Sequence, residues 1–396
     1  MIKAGYGQSL KAGTDAFREA VTEAVRPLGG EEPEAVFLFA SGDRCQEAEA
    51  GLAAAIDAAG TDRVVGCSGM GVLSISAELE QKSGVVAMAI GGDAIEAIPF
   101  IVPAEDAGAA LQAVLTPYAS EPGLLCIFST ISVGHPVELI TQLSKNLDFP
   151  IVGGAASGSR LDPRTFQWLG SDIRTDAVAG VLLQGEFEIL TGVAQGCQPF
   201  GQAYTITKAE GNVIHELAFS PAIDALKEAL DKLTPDQKEN VGPAIFAGIA
   251  MDEHDSGRNR GDFLIRNLIG MDPENGSVSI GENVEVGQTI QFNRRTADAA
   301  HLDLEQTTQA VLDKLKGREP EFGLYFNCLG RGFGLYGSPD HDVDVIKRDL
   351  GLFPMVGFFG NAEFAPVGGM NFVHSYTGGL VVFTTLHSSN GLDEDA

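Results

Sequence analysis

The chain has 396 residues, of which 44% are hydrophobic and 20% are charged, and its formal net charge is −28 at pH 7. This composition excludes a largely disordered chain, and the length suits two domains or one large duplicated unit. Glycine is frequent, with 49 residues, but it follows no three-residue period, which excludes a collagen-like fibre. Because so negative a chain repels phosphate groups, we expect neither nucleic-acid binding nor a role at anionic membrane surfaces.

The cysteines predict the cellular compartment. Five of them are scattered along the chain without any C-x-x-C pair, namely Cys45, Cys67, Cys126, Cys197 and Cys328. This pattern is typical of neither a disulfide framework nor a zinc site. The N-terminus has no apolar stretch of signal-peptide length, and no window reaches the roughly 18 apolar residues of a membrane-spanning helix. We therefore expect a cytoplasmic protein with reduced thiols and no membrane insertion.

The predicted elements begin with a helix over residues 13–27, where apolar residues recur at helical spacing. A strand at 36–41, a helix at 46–60 and a strand at 64–71 follow. The apolar runs at 84–90 and 95–102 are joined by a glycine-rich turn, which predicts an antiparallel hairpin.

The same order of elements returns twice. The second copy has helices at 104–118 and 136–147, strands at 124–130 and 150–158, and antiparallel strands within 166–196. The third has strands at 323–332 and 354–364, a helix at 341–351, and an antiparallel pair within 371–386. Similar spacings between the paired strands predict an internal duplication.

A different segment separates the second and third copies. It contains a strand-like region at 201–217, an amphipathic helix at 220–233, and strands at 244–250 and 260–270. We expect an N-terminal domain over 1–200, a C-terminal domain over 201–390 and a flexible acidic tail over 391–396. The predicted fold class is α/β (mixed α+β), with duplicated strand–helix–strand units, antiparallel hairpin additions and mixed sheets.

Familiar nucleotide-binding, hydrolase and metalloprotease motifs do not occur in the sequence, and we expect no cofactor and no catalytic residues. Polar residues instead follow two strands of the third copy, where open α/β sheets bind ligands. The candidate ligand-binding residues are Asn327, Cys328, Arg331, Asn361, Glu363, Asn371, His374 and Tyr376. An arginine fork suits a carboxylate, and carboxylate and amide oxygens suit an ammonium group, so the pattern predicts a small zwitterionic ligand. The alternative is a scaffold in which Arg331 pairs with Glu363.

An enzyme remains a further alternative at two places in the sequence. Cys328 is a candidate nucleophile that His374 could activate. The run at 252–255 contains Asp252, Glu253, His254 and Asp255, which are metal-binding residue types. Adjacent residues on a loop rarely all face one ion, so we expect a solvated loop there.

Eight sequence segments together resemble the FIST sensory module, with its N-terminal and C-terminal FIST domains. They are VFLFASGDR (36–44), VVGCSGMGVL (64–73), IVGGAASG (151–158), GCQPFG (196–201), GNVIHELAFSPAIDAL (211–226), RGDFLIRN (260–267), YFNCLGRG (325–332) and VGFFGNAEFAPVGGMNFVHSYTGGLVVF (356–383). The resemblance implies an intracellular input domain for a small ligand, an amino acid or small carboxylate. The sequence ahead of 36 reads as one helix and leaves no room for an output domain, so we expect a separate signalling protein as partner. A ligand-free interaction adaptor is the alternative.

Overall fold

The computed structural model describes residues 1–130, 136–159, 162–235, 237, 245–251 and 263–386. By internal contacts the chain divides into two compact units. The first consists of residues 1–193, 305–373 and those from 378 onwards, and the second of residues 194–304 and 374–377. The predicted domain boundary at residue 200 stays a prediction. The two compact units are a different division, in which residues 305–373 belong with residues 1–193.

The described residues form eight α-helices and three short 3₁₀ helices. The α-helices are α1 (Thr14–Val25), α2 (Ala48–Ala59), α3 (Ala107–Leu115), α4 (Pro136–Asn146), α5 (Ala222–Asp231), α6 (Ala297–Leu315), α7 (Phe333–Tyr336) and α8 (His341–Leu350). The 3₁₀ helices are Arg26–Leu28, Gly42–Glu47 and Thr116–Tyr118.

The first unit contains eighteen of the strands among the described residues. They are β1 (Ile2–Ser9), β2 (Ala35–Ser41), β3 (Val64–Gly69), β4 (Val72–Ser74), β5 (Ala77–Leu79), β6 (Val85–Gly92), β7 (Ile95–Pro103), β8 (Gly123–Ser129), β9 (Ile151–Ala155), β10 (Gln167–Leu169), β11 (Asp172–Arg174), β12 (Ala177–Gly185), β13 (Phe187–Ala194), β21 (Phe322–Cys328), β22 (Met355–Gly360), β23 (Ala362–Val367), β24 (Met370–His374) and β25 (Gly378–Thr385).

These strands build three six-stranded sheets that share one strand order. The orders are β1-β6-β2-β3-β10-β11, then β7-β12-β8-β9-β23-β24, then β13-β25-β21-β22-β4-β5. In each sheet the third and fourth strands are parallel, and the second strand is antiparallel to the third. The last two strands of each sheet form a hairpin from another copy of the sequence pattern, and β7 and β13, the first strands of the second and third sheets, also come from the preceding copy. The prediction of mixed sheets in an α/β fold is confirmed.

The predicted antiparallel hairpin of 84–90 with 95–102 is wrong, because β6 pairs with β1 and β2 whereas β7 pairs with β12. The predicted antiparallel pair within 371–386 is wrong as well, because β24 and β25 belong to different sheets.

A glycine at the same register position recurs in the three parallel pairs. A Cβ atom on Gly66 would lie 1.8 Å from the Leu38 carbonyl oxygen, and one on Gly357 would lie 1.7 Å from that of Tyr325. Gly153 has the same relation to Ile127, at 1.9 Å. The close backbone approach therefore requires glycine in all three sheets. The register also makes Leu38, Ile127 and Tyr325 equivalent positions.

The largest apolar core lies among these three sheets. It includes one phenylalanine from the same register position of each sheet, namely Phe39, Phe128 and Phe326. The Phe128 ring lies 5.2 Å from Phe39 and 6.1 Å from Phe326, and Phe358 contacts all three rings. Edge-to-face and tilted aromatic contacts of this kind add to the stabilisation from burial.

The chain begins with β1, whereas the sequence predicted a helix as the first element. Gly5 and Gly7 disfavour a strand in sequence-based reasoning. In the structure a Cβ atom on Gly5 would lie 2.4 Å from the Ala24 carbonyl oxygen, and one on Gly7 would lie 2.2 Å from that of Ala20. Both glycines therefore allow α1 to pack closely on β1. The predicted helix itself is present as α1.

The second unit contains one seven-stranded sheet with the order β14-β20-β17-β18-β19-β15-β16 and an additional pairing of β14 with β15. Its strands are β14 (Cys197–Glu210), β15 (Val213–Leu217), β16 (Ser220–Pro221), β17 (Ile245–Ala250), β18 (Phe263–Asp272), β19 (Ser277–Ile280) and β20 (Thr289–Arg295). Helix α5 packs its apolar stripe, including Ile223 and Leu226, into the core of this unit. The sequence predicted α5 within one or two residues at each end.

Candidate functional site

A buried polar cluster lies at the carboxyl end of β21. This strand ends at Cys328, and a short loop leads to Arg331 and α7. Helix α8 then begins at His341, and Asp342 in its first turn is completely buried. Arg331 and Asn327 are completely buried as well. An arginine, an asparagine and an aspartate without solvent contact require partners within the protein.

Asp342 is the centre of this cluster. Its Oδ2 atom accepts hydrogen bonds from Arg331 Nε at 2.8 Å, from Tyr325 Oη at 2.9 Å and from Asn327 Nδ2 at 3.1 Å. Its Oδ1 atom accepts one from Arg331 Nη2 at 3.2 Å and lies 2.9 Å from His341 Nδ1. The Arg331–Asp342 pair therefore has the fork geometry of a bidentate ion pair.

This ion pair determines the protonation states in the cluster. Burial raises the pKa of Asp342, but the Arg331 charge and the hydrogen bonds from His341 and Arg331 outweigh it and hold the pKa well below its usual range. Burial lowers the pKa of Arg331, but the charge of Asp342, Tyr325 and Tyr336 and the hydrogen bond to Asp342 together outweigh burial and raise the pKa. Both groups are charged at neutral pH, so the cluster has a fixed pair of charges inside the fold.

Two aromatic residues complete one side of the cluster. Tyr336 Oη accepts a hydrogen bond from Arg331 Nη2 at 2.8 Å. The ring of Tyr336 stacks on His341 with centroids 3.4 Å apart. Because His341 remains partly exposed, this stack connects the buried ion pair to the protein surface.

Glu78, on β5, forms hydrogen bonds with the backbone at the start of α8. Its Oε1 atom accepts hydrogen bonds from the backbone N–H groups of Asp342 and Val343 at 3.0 and 3.1 Å. A carboxylate in this position satisfies two N–H groups that a helix start leaves unpaired. Burial and, next to it, the charge of Asp342 raise the pKa of Glu78 well above its ordinary value.

The equivalent positions of the other two sheets are largely apolar. Tyr325 corresponds to Leu38 and Ile127 by the parallel register. Asn327 corresponds in the same way to Ala40 and Ser129. The parallel strand pairs of the other two sheets therefore form without a tyrosine and an asparagine at these positions.

A groove with a volume of about 330 Å³ lies beside the cluster, at the carboxyl ends of β2 and β3. It is lined by Ser41, Asp43, Met70, Glu80, Gln81, Lys82, Ser83 and Ser159. The ends of parallel strands are where open α/β sheets place their ligands, and the volume suits a small molecule.

Glu80 connects this groove to the cluster. Its Oε1 atom accepts a hydrogen bond from the backbone N–H of Phe333 at 2.8 Å. A Cβ atom on Gly332 would lie only 2.1 Å from the same oxygen. Burial raises the pKa of Glu80, and the charges of Asp342 and Asp340 raise it further. Lys82, in the same groove, has no ion-pair partner among the residues that the structure describes.

The eight residues predicted from the sequence do not form one cluster. Asn327 and Arg331 bind Asp342, and Cys328, which is 6% exposed, accepts a long hydrogen bond from the Gly330 N–H at 3.5 Å. Asn361 donates to the Ala156 carbonyl oxygen at 2.7 Å, and Glu363 lies buried on β23 opposite Gly154.

The other three predicted residues lie elsewhere. Asn371 accepts from the Ile151 N–H and donates to the Phe149 carbonyl oxygen. His374 and Tyr376 belong to the second unit, where Tyr376 donates to Asn267 Oδ1 at 2.6 Å. Ligand binding by the eight residues stays a prediction.

Sequence reasoning did not identify Asp342, Glu78, Glu80 or Lys82. Glu78 and Glu80 come from the first copy, and the cluster from the third, so no local motif joins them. One signal was present, because Asp340 and Asp342 flank the start of a predicted helix, where acidic residues are common for structural reasons.

The enzyme alternative concerns Cys328 with His374 and the acidic run at 252–255. The run at 252–255 lies outside the described ranges. Among the described residues, no three His, Cys, Asp or Glu side chains are placed to hold a metal ion. Burial raises the pKa of the Cys45, Cys67 and Cys126 thiols, which disfavours the nucleophilic thiolate. No helix in these ranges combines the length and the apolar character that crossing a membrane requires.

Comparison with known proteins gives two family matches and several relatives. The FIST N domain model matches residues 34–218, and the FIST C domain model matches residues 222–366. An uncharacterized protein of Mycobacterium tuberculosis is 34% identical over 371 residues, which cover 93% of this chain and 96% of the relative. An uncharacterized protein of Mycobacterium bovis is 33% identical over 378 residues, covering 92% and 94%. One from Methanocaldococcus jannaschii is 25% identical over 215 residues, covering 52% and 40%.

Proposed function

Because the chain belongs to the FIST family, we propose that it is a sensory protein whose groove at Glu80 and Lys82 binds a small zwitterion such as an amino acid. FIST domains are generally held to be sensory domains that bind small ligands in signalling. All five cysteines are free and buried, which fits a reducing compartment, and the proposed location is the cytoplasm.

The pairing of charges in the groove carries this proposal. Glu80 offers a carboxylate whose pKa is raised by burial and by the negative charges of Asp342 and Asp340. Lys82 offers an ammonium group that forms no ion pair within the described residues, although Asp43 also lines the groove. A ligand with one ammonium and one carboxylate group complements both, and hydrogen bonds between charged groups are the strong ones.

Through the hydrogen bond from the Phe333 backbone to Glu80, ligand binding in the groove can affect the buried cluster. A ligand ammonium that binds Glu80 competes with the Phe333 N–H for the same carboxylate. Phe333 follows Arg331 by two residues, and Arg331 binds the first turn of α8 through Asp342. Ligand occupancy would thus change the hydrogen bonding at the start of α7 and α8. A separate signalling protein would recognise that change.

Ligand binding should depend on pH through Glu80. A cation beside the carboxylate favours its ionised form and so lowers its raised pKa when the ligand binds. Protonation of Glu80 at lower pH then opposes binding. The affinity for the zwitterion should therefore decrease as the pH falls through the raised pKa of Glu80.

Calorimetric titration of purified protein with each of the twenty amino acids tests the proposal. For the ligand that binds, Glu80→Gln and Lys82→Met should each weaken binding at least tenfold, since a hydrogen bond to a charged group is worth about 1.5–3 kcal/mol. Exposed residues outside the groove provide the controls Glu49→Gln and Lys227→Met, which should leave the affinity unchanged.

Two results would contradict the proposal. In the first, Glu80→Gln and Lys82→Met bind the ligand as tightly as the wild type does, which would show that the ligand binds elsewhere. The other is the absence of binding by any amino acid or small carboxylate, together with the capture of one stoichiometric protein in a pull-down. The adaptor function would then replace the sensory one.

A further inference from the structure

The first unit has a second groove, which shares no residue with the groove at Glu80. It lies between the carboxyl-terminal turns of α4 and α6, strand β13 and the β23–β24 hairpin, and its volume is about 740 Å³. This volume falls within the range of sites for organic molecules of moderate size.

Part of the lining of this groove is apolar. Phe149, Ile189 and Phe372 line it, and Met370 is 53% exposed there although it is a large hydrophobic residue. Apolar side chains that stay accessible within a concave surface favour the binding of an apolar group, because binding removes their surface from water.

Two lysines give the same groove a positive end. Lys145 lies in the last turn of α4 and Lys314 in the last turn of α6. Neither ammonium group has an ion-pair partner among the residues that the structure describes, in contrast to Lys347, which pairs with Asp344. In a chain of net charge −28, two lysines of this kind in one groove form a local anion site. Asp148 also lines the groove and reduces its net charge to +1.

The wall of the groove is held in place by Asn371. Its side chain accepts a hydrogen bond from the Ile151 N–H at 2.8 Å and donates to the Phe149 carbonyl oxygen at 2.9 Å and to Ser144 Oγ at 3.1 Å. These bonds connect the β23–β24 hairpin to α4 and to the start of β9. A groove already fixed in shape loses little conformational entropy when a ligand binds.

We propose that this groove binds an organic monoanion with an apolar body, that is, an aliphatic or aromatic monocarboxylate. The apolar body packs on Ile189, Met370 and Phe372, and the carboxylate lies between the two lysines. The net charge of +1 matches one negative charge, so Asp148 disfavours dianions. This inference does not depend on the function proposed for the groove at Glu80.

Calorimetric titration with octanoate tests this site. Octanoate should bind, whereas acetate, which lacks the apolar body, and octylammonium, which lacks the anionic group, should bind at least tenfold more weakly. The double variant Lys145→Glu, Lys314→Glu should lose octanoate binding by at least tenfold, and Asp148→Asn should tighten it. The control is Lys227→Glu with Lys232→Glu, which makes the same charge change on α5 and at the residue that follows it, and should leave binding unchanged.

Several outcomes would overturn the inference. The inference is wrong if octanoate does not bind to the wild type, if octylammonium binds as tightly as octanoate, or if the double lysine variant binds octanoate with the wild-type affinity. Fluorescence of the single tryptophan, Trp168, reports whether each variant is folded. If the double charge reversal does not fold, the milder Lys145→Met and Lys314→Met variants replace it, each with an expected loss of at least threefold.

Discussion

Replacing Asp342 by asparagine tests the role of the buried ion pair directly. The substitution keeps the shape of the side chain but removes the charge opposite Arg331, which is completely buried. The buried guanidinium then loses the charge of Asp342, with which it forms a bidentate ion pair. Tyr325 and Asn327, which both donate to the carboxylate, also lose their charged acceptor.

The expected loss of stability follows from this geometry. Removing one partner of a buried ion pair costs about 3–5 kcal/mol, because the other charge stays buried and uncompensated. The free energy of unfolding of the first unit should decrease by this amount. An apolar replacement of both partners, Arg331→Met with Asp342→Leu, should recover much of the loss, because no charge is then buried.

Urea unfolding followed by Trp168 fluorescence is the suitable assay, since this tryptophan is buried in the first unit. The control is Asp344→Asn on the same helix, where the exposed pair with Lys347 contributes about 0.5 kcal/mol or less. A loss below about 1 kcal/mol for Asp342→Asn, which is typical of an exposed pair, would refute the reasoning.

Three further substitutions have defined outcomes. Gly332→Ala should lower the free energy of unfolding, measured in urea titrations, by more than about 1 kcal/mol, because the φ angle of Gly332 is 64° and the new Cβ atom would clash with the Glu80 side chain. The control Gly334→Ala should be tolerated, because the space around Gly334 is open. Asn371→Ala should cost about 1–3 kcal/mol through its three lost hydrogen bonds, measured by the same titration. Glu78 has a pKa above its ordinary value of 4.5, so its contribution to stability is full below that pH and is lost as the pH rises through the raised pKa. Glu78→Gln should therefore flatten the decrease of stability with rising pH, and an unchanged pH profile would contradict this assignment.

Much of the fold could be predicted from the sequence because its signals are local. Short apolar runs followed by glycines predicted β2, β3, β8, β9, β21 and β22, and helical spacing predicted α1, α2, α4, α5 and α8. The exchange of hairpins among the three sheets could not be predicted, since β4 and β5 follow β3 in the chain but pair beside β22. Strand partners far apart in sequence are decided by packing and leave no local pattern.

The candidate site was predicted only in part for the same reason. Asn327 and Arg331 were recognised because they follow an apolar strand. The carboxylate that Arg331 binds lies eleven residues further along the chain, at the start of a helix. Acidic residues are common at that position for structural reasons, so Asp342 gave no functional signal. Glu80 reaches Phe333 across 253 residues of sequence, so only the fold brings them together.

A crystal structure of the protein in complex with the amino acid that binds most tightly in calorimetry tests the central claim most directly. The ligand is expected in the groove beside β2 and β3, with its ammonium group in contact with Glu80 and its carboxylate in contact with Lys82. A complex in which this groove is empty, with the ligand bound elsewhere on either unit, would contradict the account.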